Sequence, residues 1–379
     1  MTIGIDASRA NRDNKTGTEW YSWHLIEEFK KILPADDRVF LYTNDKLKGD
    51  LGKCPENFKE KIIGWPPKYL WTQLRLWWEL FVSPPDVLFV PAHTIPFLPI
   101  PRRCKVVVTV HDVGFRHFPE LYKPIQVWYH ELTMKKIKRR ANIILTISEF
   151  SKNEIIKYYG VPAEKIKISY LGYDQEKYNT REEVSADSLR RILGKYKIAS
   201  PYLLYVGRLE KKKNIGNMVQ AFASAKEQLP DLKLVLAGSS GNQFEAIKEI
   251  IAKQKLEQEI ILPGYVEAAD LPPLIKGAAI FLFPTLYEGF GLPILEAMAC
   301  GTPVITSDME PHREVAGGAA ALADPYQTSA LAAKILEILG QPDYRQQLVA
   351  AGERRAAEFS WQKTAQATLA VLREAVRPR

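Results

Sequence analysis

The sequence predicts an α/β protein of two doubly wound domains, and three observations carry that prediction. Short β-branched runs alternate with helical patterns in both halves of the chain, the signature of parallel sheets covered by crossover helices. At 379 residues the chain is too long for one ordinary core and suits two domains of roughly 150 to 200 residues each, with a cleft between them. Its composition, 46% hydrophobic and 25% charged, is that of a folded globular protein, with no low-complexity tract and no internal repeat.

In the first half, strands are expected at TIGID (2–6), RVFLYT (38–43), DVLFVP (86–91), KVVVTV (105–110), NIILTI (142–147) and KIKIS (165–169). In the second half they are expected at YLLYVG (202–207), LKLVLAG (232–238), EIILP (259–263), AIFLFP (279–284) and PVIT (303–306). The polar stretch 181–200 has no strong strand signal and leads to Pro201, so it is read as a linker between domains 1–180 and 201–358. Residues 359–379 are read as an amphipathic terminal helix with 361, 365, 368, 369 and 372 on one face, which would cap the second domain or pack back toward the first.

The N-terminus, MTIGIDASRANRDN, reaches charged residues before an apolar signal core could form, and no apolar run approaches a membrane span. A cytoplasmic protein is expected. Cys54, Cys104 and Cys300 are odd in number and widely spaced, which fits neither a disulfide framework nor a zinc site. The net charge of +8 is uneven: residues 1–180 hold 28 Lys+Arg against 21 Asp+Glu (+7), and the rest hold 24 against 23 (+1). Nucleic acid, an anionic membrane or a phosphorylated substrate would each answer such a surplus.

The stretch PTLYEGFGLPILEAMACG, 284–301, holds the most specific chemistry. In open parallel sheets, ligands bind beyond the carboxyl ends of the strands, and GFGLP directly follows the strand AIFLFP. Gly289 and Gly291 allow close backbone approach, and Pro293 suits the first helical position. The unpaired amides of the helix start attract phosphate. Glu288 and Glu296 would repel phosphate but accept hydroxyls, so the pattern suits a ligand with phosphates between two hydroxyl-bearing ends, as in a nucleotide sugar. The competing reading is a pair of carboxylates favouring the helix dipole. A nicotinamide fingerprint is disfavoured, because Ile294 holds its third glycine position and the turn comes late in the chain.

In VGRLEKKKN (206–214), Arg208 and Lys213 flank the end of a strand, where two cations can neutralise a diphosphate; a solvated basic loop is the alternative. His111 ends KVVVTV at the ligand edge, where it can hydrogen-bond a sugar hydroxyl, assist proton movement or cap a backbone carbonyl. Asp6, closing the first strand, would orient an acceptor or, as preferred here, cap its turn.

EGFGLPILE (288–296) followed by AMACGTPVI (297–305) resembles the E-x7-E segment of retaining glycosyltransferases of family 4, which have the GT-B fold of two Rossmann-like domains facing across a cleft. VGRLEKKKN is similar to that family's Gly-Arg-Leu…Lys signature, PGYV (263–266) to its base-binding loop, and VTVHDVG (108–114) and LTISEFSK (145–152) to segments of its acceptor domain. The resemblance covers nearly the whole chain. It implies that Arg208 and Lys213 stabilise the leaving diphosphate and that His111 lies over the donor sugar. Glu288 would hold the sugar, Gly289, Phe290, Gly291 and Leu292 would line the donor, Glu296 would hold the ribose, and the main chain of Tyr265 and Val266 the base. Gly17 matches the family's glycine loop near the diphosphate and acceptor, with Thr16 and Thr18 beside it where many members have a second glycine.

The resemblance further implies transfer of a hexose with retention, by same-face attack through an oxocarbenium-like ion pair, because no carboxylate nucleophile for a double displacement is evident. Neither cofactor nor metal is expected: arginine, lysine and helix end take the place of a divalent cation, and no DxD segment is present. The donor expected is GDP-mannose, since the His-Asp segment followed by HFPELY resembles bacterial surface-polysaccharide mannosyltransferases; UDP-glucose and UDP-N-acetylglucosamine are the alternatives. The first domain would hold a saccharide or polyprenyl-linked acceptor. Leu70, Leu74, Trp77, Trp78 and Phe81 share one helical face of KYLWTQLRLWWELF (68–81), and WYHELTMKKIKRR (128–140) ends in five cations among six residues. Together these could rest on an anionic membrane at the inner face of the cell membrane, or the aromatic face could be core. Nucleic acid is not expected, because the basic run belongs to no recognition module. A sugar-nucleotide epimerase or hydrolase, and a non-catalytic sugar-nucleotide-binding protein, are the competing functions.

Overall fold

The computed structural model describes residues 1–64, 70–178, 185–241 and 244–377. The chain forms two units, Met1–Gly172 with Trp361–Arg379, and Tyr173–Ser360. The first unit contains strands β1 (Thr2–Asp6), β2 (Arg38–Thr43), β3 (Phe58–Ile62), β4 (Val87–Val90), β5 (Lys105–Thr109), β6 (Ile143–Thr146) and β7 (Ile166–Ile168). They form one parallel sheet in the order β3-β2-β1-β4-β5-β6-β7. Winding reverses between β1 and β4, which opens a crevice at the carboxyl edge there.

Helices α1 (Gly17–Ile32), α2 (Trp77–Val82), α3 (Gly114–His117), α4 (Pro124–Arg140) and α5 (Glu149–Tyr159) belong to this unit. The start of α1 is fixed by Thr16 and Glu19, whose side chains satisfy each other's end of the helix in a capping box. The C-terminal helix, Trp361–Val376, also belongs here: Trp361, Ala365, Leu369 and Leu372 join Tyr21, Leu25 and Phe29 in one buried cluster. Its Trp361 ring stacks on His24 at 4.6 Å.

The second unit contains β8 (Tyr202–Val206), β9 (Lys233–Ala237), β10 (Ile260–Gly264), β11 (Ile280–Phe283), β12 (Val304–Ser307) and β13 (Ala321–Ala323), in the parallel order β10-β9-β8-β11-β12-β13. Its switch point lies between β8 and β11. The helices are α6 (Ala186–Lys195), α7 (Ile215–Lys226), α8 (Phe244–Lys253), α9 (Leu271–Lys276), α10 (Leu292–Ala299), α11 (His312–Ala316), α12 (Thr328–Gly340) and α13 (Pro342–Ala356). The strands β8, β9, β11 and β12 are buried on both faces, which explains their unbroken apolar runs.

Every strand expected from the sequence is present, and two more appear at sheet edges. β3 reads FKEKI and β13 is only ALA; an edge strand can carry charge or be very short, so neither leaves a clear period. The stretch read as a linker differs more. The unit boundary falls at Gly172, and 186–195 is a helix of the second unit, capped where Ser185 accepts from the Ser188 amide and anchored where Lys195 meets Asp270 at 2.7 Å. Its apolar residues Leu189, Ile192 and Leu193 are spaced as one helical face inside a polar stretch, which hid them. Residues 181–184 lie outside the described residues.

Candidate active site

In the second unit the chains leaving β8 and β11 are laced together. The Leu286 amide donates to the Lys212 carbonyl at 2.8 Å, and the Asn214 side-chain amide donates to the Pro284 carbonyl at 3.0 Å. These bonds set Lys213 beside Glu288, and the two form an ion pair. Burial works to raise the Glu288 carboxyl, but Lys213 and then Lys212 outweigh it and hold the group below its ordinary value of 4.5. Glu288 is therefore a carboxylate at neutral pH. Arg208 is exposed, with its guanidinium 3.9 Å from Glu210 and its carbonyl accepting the Tyr205 hydroxyl.

The turn after Glu288 ends on Gly291, whose φ of +109° lies where residues with a Cβ are strained. Gly291 caps α10; Pro293 is the second helical residue, one position further in than expected, and needs no amide partner there either. Phe290 is buried and meets Phe359 edge to face at 5.9 Å, so it anchors the turn to its own unit. At the end of β10, Gly264 has φ +74°, Tyr265 is largely exposed and Val266 is buried.

Glu296 has different surroundings. Burial pushes its carboxyl up to about 7, against the opposing pull of Lys177 and a hydrogen bond with Tyr178. The Tyr178 hydroxyl in turn accepts from the Lys177 ammonium at 3.1 Å. The two glutamates of the segment thus differ in charge state: Glu288 is held ionised by a lysine, and Glu296 titrates near neutrality beside a phenol.

The remaining expected residues lie in the first unit. His111 Nε2 donates to the Pro91 carbonyl at 3.0 Å, Tyr21 meets the ring edge to face at 4.7 Å, and burial lowers its pKa, so the imidazole is neutral. Asp6 accepts from the Ser8 amide (3.0 Å) and hydroxyl (2.6 Å), the geometry of a turn cap. Gly17 is the exposed first residue of α1, with open space where a Cβ would stand. Glu19 receives both Arg9 (3.2 Å) and Arg12 (3.4 Å).

Several residues had no sequence signal. At the carboxyl edge of the first sheet, a cavity of about 720 Å³ is lined by Arg9, Asn11, Asn14, Asn44, Gln73 and Tyr129, among others. Gln73 is fixed by the Phe97 amide at 2.8 Å and the Tyr129 hydroxyl at 3.2 Å. In the second unit, Lys177, Tyr178 and His312 were missed. His312 alone had a signal, as a histidine just beyond the carboxyl end of a strand.

Residues 189–355 match the family model of glycosyl transferases group 1, and residues 16–177 match that of Glycosyltransferase Family 4. The chain is 35% identical over 273 residues to the O-antigen chain mannosyltransferase B of Escherichia coli, covering 71% of each protein. It is 26% identical over 251 residues to the O-antigen chain mannosyltransferase RfbU of Salmonella typhimurium, covering 66% of this chain and 64% of that one. The structure of Anabaena HepE in complex with UDP and glucose superposes with a TM-score of 0.74 at 17% identity, covering 98% of this chain and 99% of that one, a likeness of fold.

Proposed function

Since the chain belongs to the glycosyltransferases of group 1 and family 4, we propose that it moves mannose from GDP-mannose, with retention, to a saccharide or polyprenyl-linked acceptor in polysaccharide biosynthesis. The observation that carries this reading is the Lys213–Glu288 pair at the mouth of the Gly291 turn. A cation suits the diphosphate and a carboxylate suits sugar hydroxyls, so a sugar diphosphate gives each group a new partner. Mannose is favoured by the names of the relatives.

In the reaction, the bond between the anomeric carbon and the phosphate oxygen breaks, the acceptor oxygen bonds to the same face, and the departing diphosphate takes the acceptor's proton. Arg208, Lys213 and the amides of Gly289 to Leu292 at the α10 start stabilise the charge growing on the leaving group. They supply what a divalent cation would, so the mechanism calls for no metal. Glu288 positions the sugar, Glu296 the ribose, and the main chain at Tyr265 and Val266 the base. In the first domain His111, with Nε2 committed to Pro91, has Nδ1 for a sugar hydroxyl, and Gly17 opens the helix assigned to the diphosphate side.

The reading includes a cytoplasmic enzyme resting on an anionic membrane. Leu74, Trp78, Phe81 and Val82 are exposed along the turn before α2 and on α2 itself. Trp77 donates its indole N–H to the Pro99 carbonyl at 2.9 Å, and Pro99 shares a cavity of about 440 Å³ with Arg102, Arg139 and Arg140. Apolar rings beside guanidinium groups suit a lipid surface of negative charge. Residues 68 and 69 of that segment lie outside the described residues. The donor test is thermal shift and slow hydrolysis with GDP-mannose, UDP-glucose, UDP-N-acetylglucosamine and ADP-glucose. Selective response to GDP-mannose is expected; response to another sugar nucleotide alone replaces the donor, and response to none overturns the reading.

A further inference from the structure

His312 opens α11 just beyond β12 and is 1% exposed. Its Nε2 lies 3.0 Å from the hydroxyl of Thr285, a fully buried residue of the loop that leaves β11. Its other ring nitrogen, Nδ1, is buried with no partner among the described residues. The ring lies edge-to-face with Phe283, and its Cδ2 is 3.5 Å from where a side chain at Gly291 would begin. Burial lowers its pKa to about 4, while Glu288 and Lys213 pull in opposite senses, so the imidazole is neutral.

The surroundings make this ring a fixed post. Arg355 donates to the carbonyls of Glu314 and Val315 at 2.7 and 2.9 Å, which holds α11 in place. The loop from β11 is tied on its β8 side by Asn214 and the Lys212 carbonyl. On its β12 side the Ser307 hydroxyl donates to the Thr285 carbonyl at 2.6 Å, and His312 engages the Thr285 side chain. Glu288 and Gly291 follow Thr285 in the same loop. An aromatic or aliphatic side chain in this place would leave the buried Thr285 hydroxyl without the partner that His312 Nε2 gives it, so the imidazole is what ties this loop to α11.

We propose that His312 is a positioning residue for sugar transfer: through Thr285 it fixes the loop whose Glu288 carboxylate holds the transferred sugar. The inference rests on the reading of Glu288 as the sugar-holding group. It separates sugar positioning from nucleotide binding, because a nucleoside diphosphate lacks the sugar that Glu288 holds.

The test compares wild type with His312→Ala, His312→Gln, Thr285→Val and Thr285→Ser. Turnover per folded molecule is measured on whichever of the four sugar nucleotides wild type hydrolyses, and affinity on the matching free nucleoside diphosphate. His312→Ala and Thr285→Val are expected to lower turnover about 10- to 100-fold while that affinity stays within about threefold. His312→Gln, with a polar atom near the place of Nε2, and Thr285→Ser are expected to recover most of the loss. Thr285→Val keeps the buried shape and decides the matter if His312→Ala does not fold. Unchanged turnover per folded molecule, a parallel fall in affinity, or no rescue by Gln and Ser overturns the proposal while wild-type activity leaves the donor reading standing. A wild type inert toward all four donors overturns both.

Discussion

The Lys213 ammonium and the Glu288 carboxylate neutralise each other, although 75 residues separate them in the chain. On the proposed reading the donor parts them, the diphosphate drawing the lysine and the sugar hydroxyls the carboxylate.

Loss of either partner should therefore damage both stability and turnover, and loss of both should damage turnover alone. Lys213→Met and Glu288→Gln are each expected to cost about 2 kcal/mol, less than for a fully buried pair because the side chains keep 14% and 17% of their exposure. The double variant is expected to regain most of that stability in denaturant melts but to stay at least about 100-fold slower in sugar transfer. Glu288 has a lowered folded pKa, so the stability it provides is present above its ordinary 4.5 and is lost as pH falls through the folded value. A double variant as active as wild type would show the pair to be structural.

Glu296 has the opposite sign. Its folded pKa of about 7 lies above its ordinary 4.5, so its contribution to stability is fully present below 4.5 and is lost as pH rises through 7. Wild type is expected to lose melting temperature across that window relative to Glu296→Gln, by a few degrees at about 1 kcal/mol. Tyr178→Phe removes a hydrogen bond that lowers the carboxyl's pKa, and should move the fall to higher pH. Parallel profiles for wild type and Glu296→Gln would place this carboxyl in water.

Of the three glycines proposed to meet the donor, Gly291 and Gly17 should behave differently on substitution by alanine. Gly291→Ala places a Cβ at φ +109° and 3.1 Å from Ile294, which should cost about 1–3 kcal/mol and most of the turnover. Gly17→Ala meets open space, so its melting temperature should match wild type within the shift expected from about 0.5 kcal/mol. Any turnover lost in Gly17→Ala is then a ligand contact, and unchanged turnover removes Gly17 from the donor site.

Flotation with vesicles containing anionic lipid tests the surface of the first domain. Trp78→Ser with Phe81→Ser, and separately Arg139→Gln with Arg140→Gln, are each expected to reduce bound protein by about tenfold, the second pair more at low salt. Hydrolysis of free donor should be unchanged in both. Equal flotation by all three proteins would make the aromatic patch a surface for something other than lipid.

Much of this protein is legible in its sequence. The buried strands are continuous apolar runs that need no tertiary knowledge to recognise, and E-G-F-G-L-P places a carboxylate and a left-handed glycine just past one of them. The edge strand FKEKI and the helix over 186–195 were hidden because half-exposed elements carry charges that obscure their period.

By itself, then, the sequence determined the two wound sheets, the glycine turn and the identity of its two glutamates, because those follow from local periodicity and backbone chemistry. Only the tertiary structure decided what each glutamate is: Lys213 keeps Glu288 charged, burial lifts the Glu296 pKa close to 7 against the opposing pull of Lys177 and Tyr178, and Thr285 finds His312 from beyond the next strand. The charge state of a carboxyl depends on the water it loses and the charges it meets, and folding brings both from distant parts of the chain.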